Sequence, residues 1–312
     1  MRLKFLSIVL LLVLLTSAAC APQATPAPTA APTAVPVAAT QAPAPTVAPT
    51  QVPQTATTAP TQPASPTQAA AAGQTLTVLA AASLTAPFQD LAKEFEAAHP
   101  GVNVAYSFAG SQALAQQLDQ GAPADVFASA STSYMTAAVK SNRVDQTTVQ
   151  TFAYNRLIVI YPIANPAGIK TLQDLAKPGL KLDLEAAAVP AGQYSITFLD
   201  KASKDPSFSP TFKDTVLKNV VSYEDNVKSV LTKVSLGEAD AGIVYVSDDT
   251  GDVTSKLGQI VIPDSLNTIA TYPIAPISDS KNPDMAKAFV ALVMSSDGQA
   301  ALAKYSFIPA VK

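Results

Sequence analysis

The chain has 312 residues, 48% of them apolar and 14% charged, with 20 Lys and Arg against 23 Asp and Glu. A net charge of −3 offers no basic face for nucleic acid. A single cysteine rules out a disulfide within the chain.

Arg2 and Lys4 precede an apolar run from Phe5 to Leu15, and small residues follow up to Cys20. That pattern is a secretory signal, too short to span a bilayer as a mature helix. Ser17-Ala18-Ala19-Cys20 resembles the lipobox of bacterial lipoproteins, although leucine is usual where Ser17 stands. The resemblance implies a lipoprotein signal peptide over residues 1–20 and a lipid on Cys20. It also implies an extracytoplasmic protein anchored to the cell membrane, on its periplasmic side or at the cell surface. Residues 21–73 are almost wholly Ala, Pro, Thr, Gln and Val, carry no charge and hold nearly half of the 26 prolines. They have too few large apolar groups to offset the entropy of ordering, so a disordered tether is expected. Every acidic residue lies beyond the tether, while Arg2 and Lys4 lie in the leader. The rest of the chain is therefore more negative than the whole, and an anion site there must rely on local dipoles.

From residue 74 onward the pattern alternates between strand and helix. Thr75–Ala80 reads as a strand. Phe88, Leu91, Ala92 and Phe95 mark a helix stopped by His99-Pro100-Gly101. Val102–Phe108 is a strand, Leu114 and Leu118 mark a helix, Val126–Ala128 is a short strand, and Tyr134–Val139 is helical. Leu157–Tyr161 is a buried strand, Leu172–Ala176 a short helix and Lys181–Leu184 a strand. A turn at Val189–Tyr194 opens a helix through Phe198 and Leu199. Val220–Tyr223 is a strand. Val227, Val230, Leu231 and Val234 form a helical stripe closed by Gly237, and Ala241–Val246 is a strand. Gln259–Ile262 and Thr268–Ile274 are strands; helices over Met285–Val293 and Gln299–Tyr305 end the chain. Strands separated by helices point to α/β units with parallel sheets.

Four junctions share one pattern: Ser83, Ser111, Ala191 and Val227 each follow a strand and begin a helix. In open α/β sheets ligands sit beyond the carboxyl ends of the strands. Helix starts there offer free N–H groups and the positive end of the helix dipole. Together with the Tyr245 phenol they would surround a small anion with neutral donors. Read singly, Ser83 and Ser111 are ordinary N-caps. Tyr245 alone is a strand-end tyrosine with a satisfied hydroxyl, and Val227 alone a core valine. Asp125 reads as a structural backbone cap and His99 as a solvated helix-end residue. Asp248-Asp249 with Asp252 reads as a solvated loop, because the spacing lacks the glycine and glutamate of an EF-hand.

Several motifs occur in order: AAASL (Ala80–Leu84), SFAGSQALAQQL (Ser107–Leu118), GAPADVFASA (Gly121–Ala130), VPAGQY (Val189–Tyr194), EDNVKSVL (Glu224–Leu231), GEADAGIVYVSD (Gly237–Asp248) and AKYSF (Ala303–Phe307). Through them the chain resembles the periplasmic molybdate-binding proteins of ABC importers over Thr75–Phe307. The resemblance implies a two-lobed α/β fold of the periplasmic-binding-protein type. Each lobe would be a mainly parallel sheet flanked by helices, with two crossing hinge segments between them. Residues 74–154 and 275–312 would form one lobe and 155–274 the other. The implied ligand is a tetrahedral oxyanion, molybdate or tungstate, bound through its oxygens with no direct metal ligation and no cofactor. Carried over, the ligand-binding positions are Ser83, Ser111, Ala191, Val227 and Tyr245, with Ala191 and Val227 acting through backbone N–H. Gly110 stands where relatives often have serine. No carboxylate falls in a ligand position, which argues against the relatives that expand the metal to six-coordination. The implied partners are the transmembrane subunits of an ABC permease, and delivery to them suits a monomer.

Other functions fit less well. The same fold could bind sulfate or another oxyanion. Phosphate is disfavoured, because its protonated forms need an acceptor that none of the five positions supplies. A serine hydrolase on Ser83 would need a base, and the one histidine, His99, lies a helix length away, about 20 Å. No Gly-x-Ser-x-Gly elbow is present. A surface adhesin or stalk would explain the tether but would leave the four helix starts as coincidence. The expectation is a binding protein and not an enzyme.

Overall fold

The computed structural model describes residues 73–310; the leader, Cys20 and the tether up to residue 72 lie outside the described residues. Alternating apolar residues make β1 (Gln74–Ala81), and α1 (Thr85–Ala98) follows, burying Phe88, Leu91 and Phe95. Then come β2 (Val102–Ala109), α2 (Ser111–Asp119), β3 (Val126–Ala128), α3 (Thr132–Lys140) and β4 (Gln150–Asn155). The next group is β5 (Leu157–Pro162), β6 (Leu182–Glu185), α4 (Pro190–Ala202), α5 (Phe212–Lys218), β7 (Val220–Glu224), α6 (Val227–Ser235), β8 (Ala241–Tyr245) and β9 (Leu257–Val261). The described chain ends with β10 (Ala270–Pro276), α7 (Pro283–Met294), α8 (Ser296–Lys304) and β11 (Ile308–Pro309).

Two sheets result, ordered β11-β4-β10-β3-β1-β2 and β7-β6-β8-β5-β9. The α/β class expected from the sequence holds. Both sheets are mixed, though, and not mainly parallel. β1 runs parallel to β2 and β3, and β6 runs parallel to β7 and β8. β10, β4 and β11 pair antiparallel, as does β5 with β8 and β9. The parallel pairs are those joined by covering helices; strands entering from the other sheet need no such crossover.

The chain crosses between the sheets twice. β4 and β5 are separated only by Arg156, and the return runs from Val261 to Ala270. Asn267 on the return path donates to the Leu157 carbonyl (2.8 Å) and accepts its N–H (3.1 Å), tying the two crossings together. Asn155 donates to the Ser247 hydroxyl at 2.8 Å beside them. The boundary expected at 274/275 falls inside β10, where Tyr272 pairs with Ala153 and Ile274 with Ala128, both in the first sheet. The sequence reading also passes over β4, α5 and β11. β4 and β11 lack clean alternation, and α5 is only seven residues long.

Aromatic packing links this framework to the cavity described below. Phe88 meets Phe152 at 5.9 Å and Phe289 at 5.8 Å between ring centres. Tyr272 stands edge-on to Phe152, Phe307 and Tyr245, at 6.1, 5.2 and 5.8 Å. Each such fully buried ring contributes about 2–3 kcal/mol of hydrophobic stabilisation. The chain of rings also holds Tyr245 in one orientation. α6 buries Val227, Val230, Leu231 and Val234, the stripe read from the sequence, and Gly237 beyond it has φ +74.

Candidate functional site: a cavity at the strand ends

The register of the first sheet sets Ala81 beside Ala109, so the turns after β1 and β2 emerge side by side. β1 leads into a short turn of 3-10 helix, Ala82–Leu84, before α1. Ser83 lies in that turn and is not the N-cap of α1. Its hydroxyl is 2.9 Å from the Tyr272 hydroxyl. Ser111 is likewise the first residue of α2 and not its cap, which is Gly110. The Ser111 hydroxyl accepts the N–H of Ala130 at 2.9 Å, which leaves its own proton uncommitted.

In the second sheet Glu185 and Glu224 are in register at the ends of β6 and β7. α6 begins just beyond, capped by Asn226, whose side-chain oxygen accepts the N–H groups of Lys228 (3.0 Å) and Ser229 (3.2 Å). That cap takes up the N–H groups of Lys228 and Ser229 and not that of Val227. β8 ends in Tyr245, whose ring is buried and whose hydroxyl has no hydrogen-bond partner among the described residues. Burial holds its pKa well above the ordinary phenol value, with Tyr272 and Glu185 adding to the effect, so it is a neutral donor. Leaving such a hydroxyl unpaired costs about 1–3 kcal/mol, which a ligand could recover.

These groups meet in one small cavity of about 10 Å³, lined among others by Ser83, Ser111, Val227 and Tyr245. That is room for about one water-sized group, far below a pocket for a drug-sized ligand. The cavity thus gathers four of the five positions read from the sequence. The fifth, Ala191, is fully buried, next in the chain to Val189 and Pro190, through which the cavity meets the start of α4. The amides of Ala191 and Gly192 are turned to the Glu185 carboxyl, with Gly192 N at 3.1 Å from Oε2.

Glu185 itself lines the cavity and is 4% exposed. The sequence reading places no carboxylate here. The signal was present: a glutamate one residue beyond an expected strand and four before the Val189 turn. Tyr272, whose hydroxyl meets Ser83, is equally silent in the sequence, because it acts across elements; Asn226 caps its own helix, a local signal that the sequence reading passes over.

Contacts between elements of the two sheets close the cavity rim. Gln112 donates to the Asp225 carbonyl at 3.0 Å, Tyr194 donates to the Ala130 carbonyl at 3.3 Å, and Tyr134 donates to the Ala188 carbonyl. A β-carbon on Gly110 would lie 2.3 Å from the Asp225 carbonyl oxygen. Gly110 thus permits this approach in addition to lacking the serine hydroxyl noted above.

The remaining polar residues singled out in the sequence settle elsewhere. Asp125 accepts the Thr77 N–H (2.7 Å) and the Ser280 hydroxyl (2.6 Å), a structural role as expected but across elements. His99 is the C-cap of α1, stacked on Phe95 with Nδ1 2.9 Å from its carbonyl oxygen. Asp248 is a correction. It is buried, accepts the Tyr245 N–H at 3.1 Å and pairs with Lys228 at 2.9 Å, so it braces the site instead of sitting in a solvated loop. The side chain of Asp252 lies outside the described residues. Among the described residues no cluster of three metal-ligating side chains occurs, and no helix is long and apolar enough to cross a membrane.

Two mixed sheets joined by two crossings, with a small donor-lined cavity at the strand ends, define a binding protein of the two-sheet α/β class. Residues 76–308 match the family model described as bacterial extracellular solute-binding protein. The molybdate-binding protein ModA of Mycobacterium bovis is 36% identical over 234 residues, 75% of this chain and 84% of that one. ModA of Escherichia coli is 33% identical over 240 residues, 74% of this chain and 88% of the other. The periplasmic molybdate-binding protein of Azotobacter vinelandii superposes with a TM-score of 0.65 at 17% identity, over 75% of this chain and 98% of that chain, a likeness of fold. The chain belongs to the bacterial extracellular solute-binding protein family.

Proposed function

We propose that this protein captures molybdate, and tungstate with it, in the cavity at the strand ends, for delivery to the transmembrane subunits of an ABC importer. The observation that carries the reading is the Tyr245 hydroxyl, buried and unpaired in the same cavity as the Ser83 and Ser111 hydroxyls. Relatives at 36% and 33% identity bear the name molybdate-binding protein, which points to the same class of ligand. Ser83, Ser111 and Tyr245 would donate hydroxyl protons to the oxyanion and Val227 its backbone N–H. Each charge-assisted bond contributes about 1.5–3 kcal/mol, so several together replace the water that a dianion gives up. Ala191 would serve indirectly, by holding the Glu185 carboxyl.

In this reading residues on the two sheets act as lobes that close on the anion about the two crossings. The protein works as a monomer with no catalytic step and no cofactor. It is held to the cell membrane by a lipid on Cys20 after removal of residues 1–20, and residues 21–73 let the binding part reach the permease. Sulfate, also a tetrahedral dianion, would be rejected by cavity size and not by charge.

A thermal-shift screen with molybdate, tungstate, sulfate and phosphate tests this. Ligand at 100 times its dissociation constant adds about 2.7 kcal/mol of stability. Molybdate and tungstate should raise the melting temperature and the other two should not. A response to sulfate alone would keep the oxyanion site and discard the molybdate specificity. No response to any of the four would discard the oxyanion site.

A further inference from the structure

Glu185 is the one ionisable group in the cavity wall that the oxyanion reading leaves without a task. Its Oε2 accepts the Gly192 N–H, and the Ala191 N–H faces the same carboxyl. These are the first amides α4 has to offer, because Pro190 at its start carries no N–H. The carboxyl therefore occupies the helix start that would otherwise receive an anion.

The surroundings of Glu185 are acidic or neutral. Asp248 lies beyond β8, and its charge is met by Lys228 of α6 at 2.9 Å. Glu224 is in register on β7 and pairs with Lys233 and the Ser222 hydroxyl. Asp183 is two residues back on β6. From the other elements come phenols: Tyr245 of β8, Tyr194 of α4 and Tyr134 of α3, all shifted upward chiefly by burial. Both lysines near the site are thus engaged by other carboxylates, and among the described residues no cation is paired with Glu185. Burial, with the Asp248 charge adding, lifts its pKa to about 8, against the pull of the two amides. With Oε2 accepting the Gly192 N–H, Oε1 is the oxygen that can carry the proton of the acid form.

We propose that Glu185 is a ligand-facing specificity residue of the oxyanion site: as a carboxylic acid it donates its O–H to one oxygen of the bound anion, so that the site captures a fully deprotonated dianion together with one proton. This rests on the oxyanion reading above. The balance is simple. Ionised Glu185, one proton from solvent and the free dianion become neutral Glu185 hydrogen-bonded to the bound dianion. Two negative charges are buried in place of three. An anion carrying its own proton, such as hydrogen phosphate, meets a wall of donors. The strong acceptor the lining offers is ionised Glu185, which restores the third charge. Glu185 therefore favours oxyanions whose oxygens are all bare.

Titration calorimetry of the full chain with sodium molybdate, in buffers of different ionisation enthalpy, counts the protons taken up on binding. Close to one proton per anion is expected at pH 9 and close to none at pH 6.5. Affinity should be flat below pH 7.5 and fall close to tenfold between pH 8.5 and 9.5. Glu185→Gln should remove both the uptake and the slope. Binding at pH 9 without proton uptake overturns the proposal alone, as does a Glu185→Gln protein that keeps the uptake. The wild-type proton count needs no variant and decides the matter even if Glu185→Gln fails to fold. No heat at pH 7 with molybdate, tungstate or sulfate overturns the oxyanion reading and this proposal with it.

Discussion

The Ser111 hydroxyl accepts the Ala130 N–H at 2.9 Å, and its own proton is left for the cavity. One side chain thus fixes a neighbouring backbone and presents a donor to a ligand. Ser111→Ala should weaken molybdate binding about tenfold or more, from loss of a bond of roughly 1.5–3 kcal/mol. It should also cost the ligand-free protein about 1–3 kcal/mol, because Ala130 loses its buried acceptor. Calorimetry and urea melts read the two effects separately. Unchanged affinity would remove Ser111 from the site.

Tyr245 should behave differently, since its hydroxyl has no partner to lose. Tyr245→Phe should weaken binding by a similar factor while leaving the ligand-free protein as stable as before or more stable, by up to about 1 kcal/mol. A variant that loses stability in step with affinity would show that the hydroxyl serves the fold.

Two buried carboxyls set a pH dependence of stability. Burial raises Glu185 from 4.5 to about 8. Burial, with Glu224 adding, raises Asp183 from 3.8 to about 7. Folded pKa values above the unfolded ones mean that the stabilisation is complete below about pH 4 and is lost as pH rises through 7 to 8. The ligand-free melting temperature should therefore fall between pH 5 and 8.5. Glu185→Gln should flatten that fall, with the larger gain at the alkaline end. A wild-type melting temperature that rises steadily over the same range would contradict the burial of these groups as acids.

Gly110 has φ −61, so a side chain there brings no backbone strain; the cost arises where the Asp225 carbonyl oxygen and the Gln112 side-chain amide approach, at 2.3 and 2.4 Å from a β-carbon. Gly110→Val should lower the ligand-free melting temperature, because the Asp225 backbone must shift to admit the side chain, and weaken molybdate binding about tenfold by opposing the same approach. Equal affinity in the variant would mean that the anion is held without this approach.

The α/β class, the helical stripe of α6 and four cavity residues can be read from local pattern because each depends on its own neighbours in sequence. Val227 and Ser111 stand where a strand hands over to a helix, and that junction is visible in the chain. What escapes the sequence depends on partners far along it. Glu185 enters the cavity only because α4 turns its amides back onto β6. Asp248 is buried because Lys228, on the preceding helix, reaches it. The mixed direction of the sheets follows from two crossings that no periodicity marks.

The most direct test is titration calorimetry of the protein with molybdate, tungstate, sulfate and phosphate at pH 7, beside the Tyr245→Phe variant. One molybdate or tungstate should bind per chain, tightly, with sulfate and phosphate silent and the variant about tenfold weaker or more. Failure of all four anions to bind, or equal affinity in the variant, would contradict the assignment of this cavity as an oxyanion site.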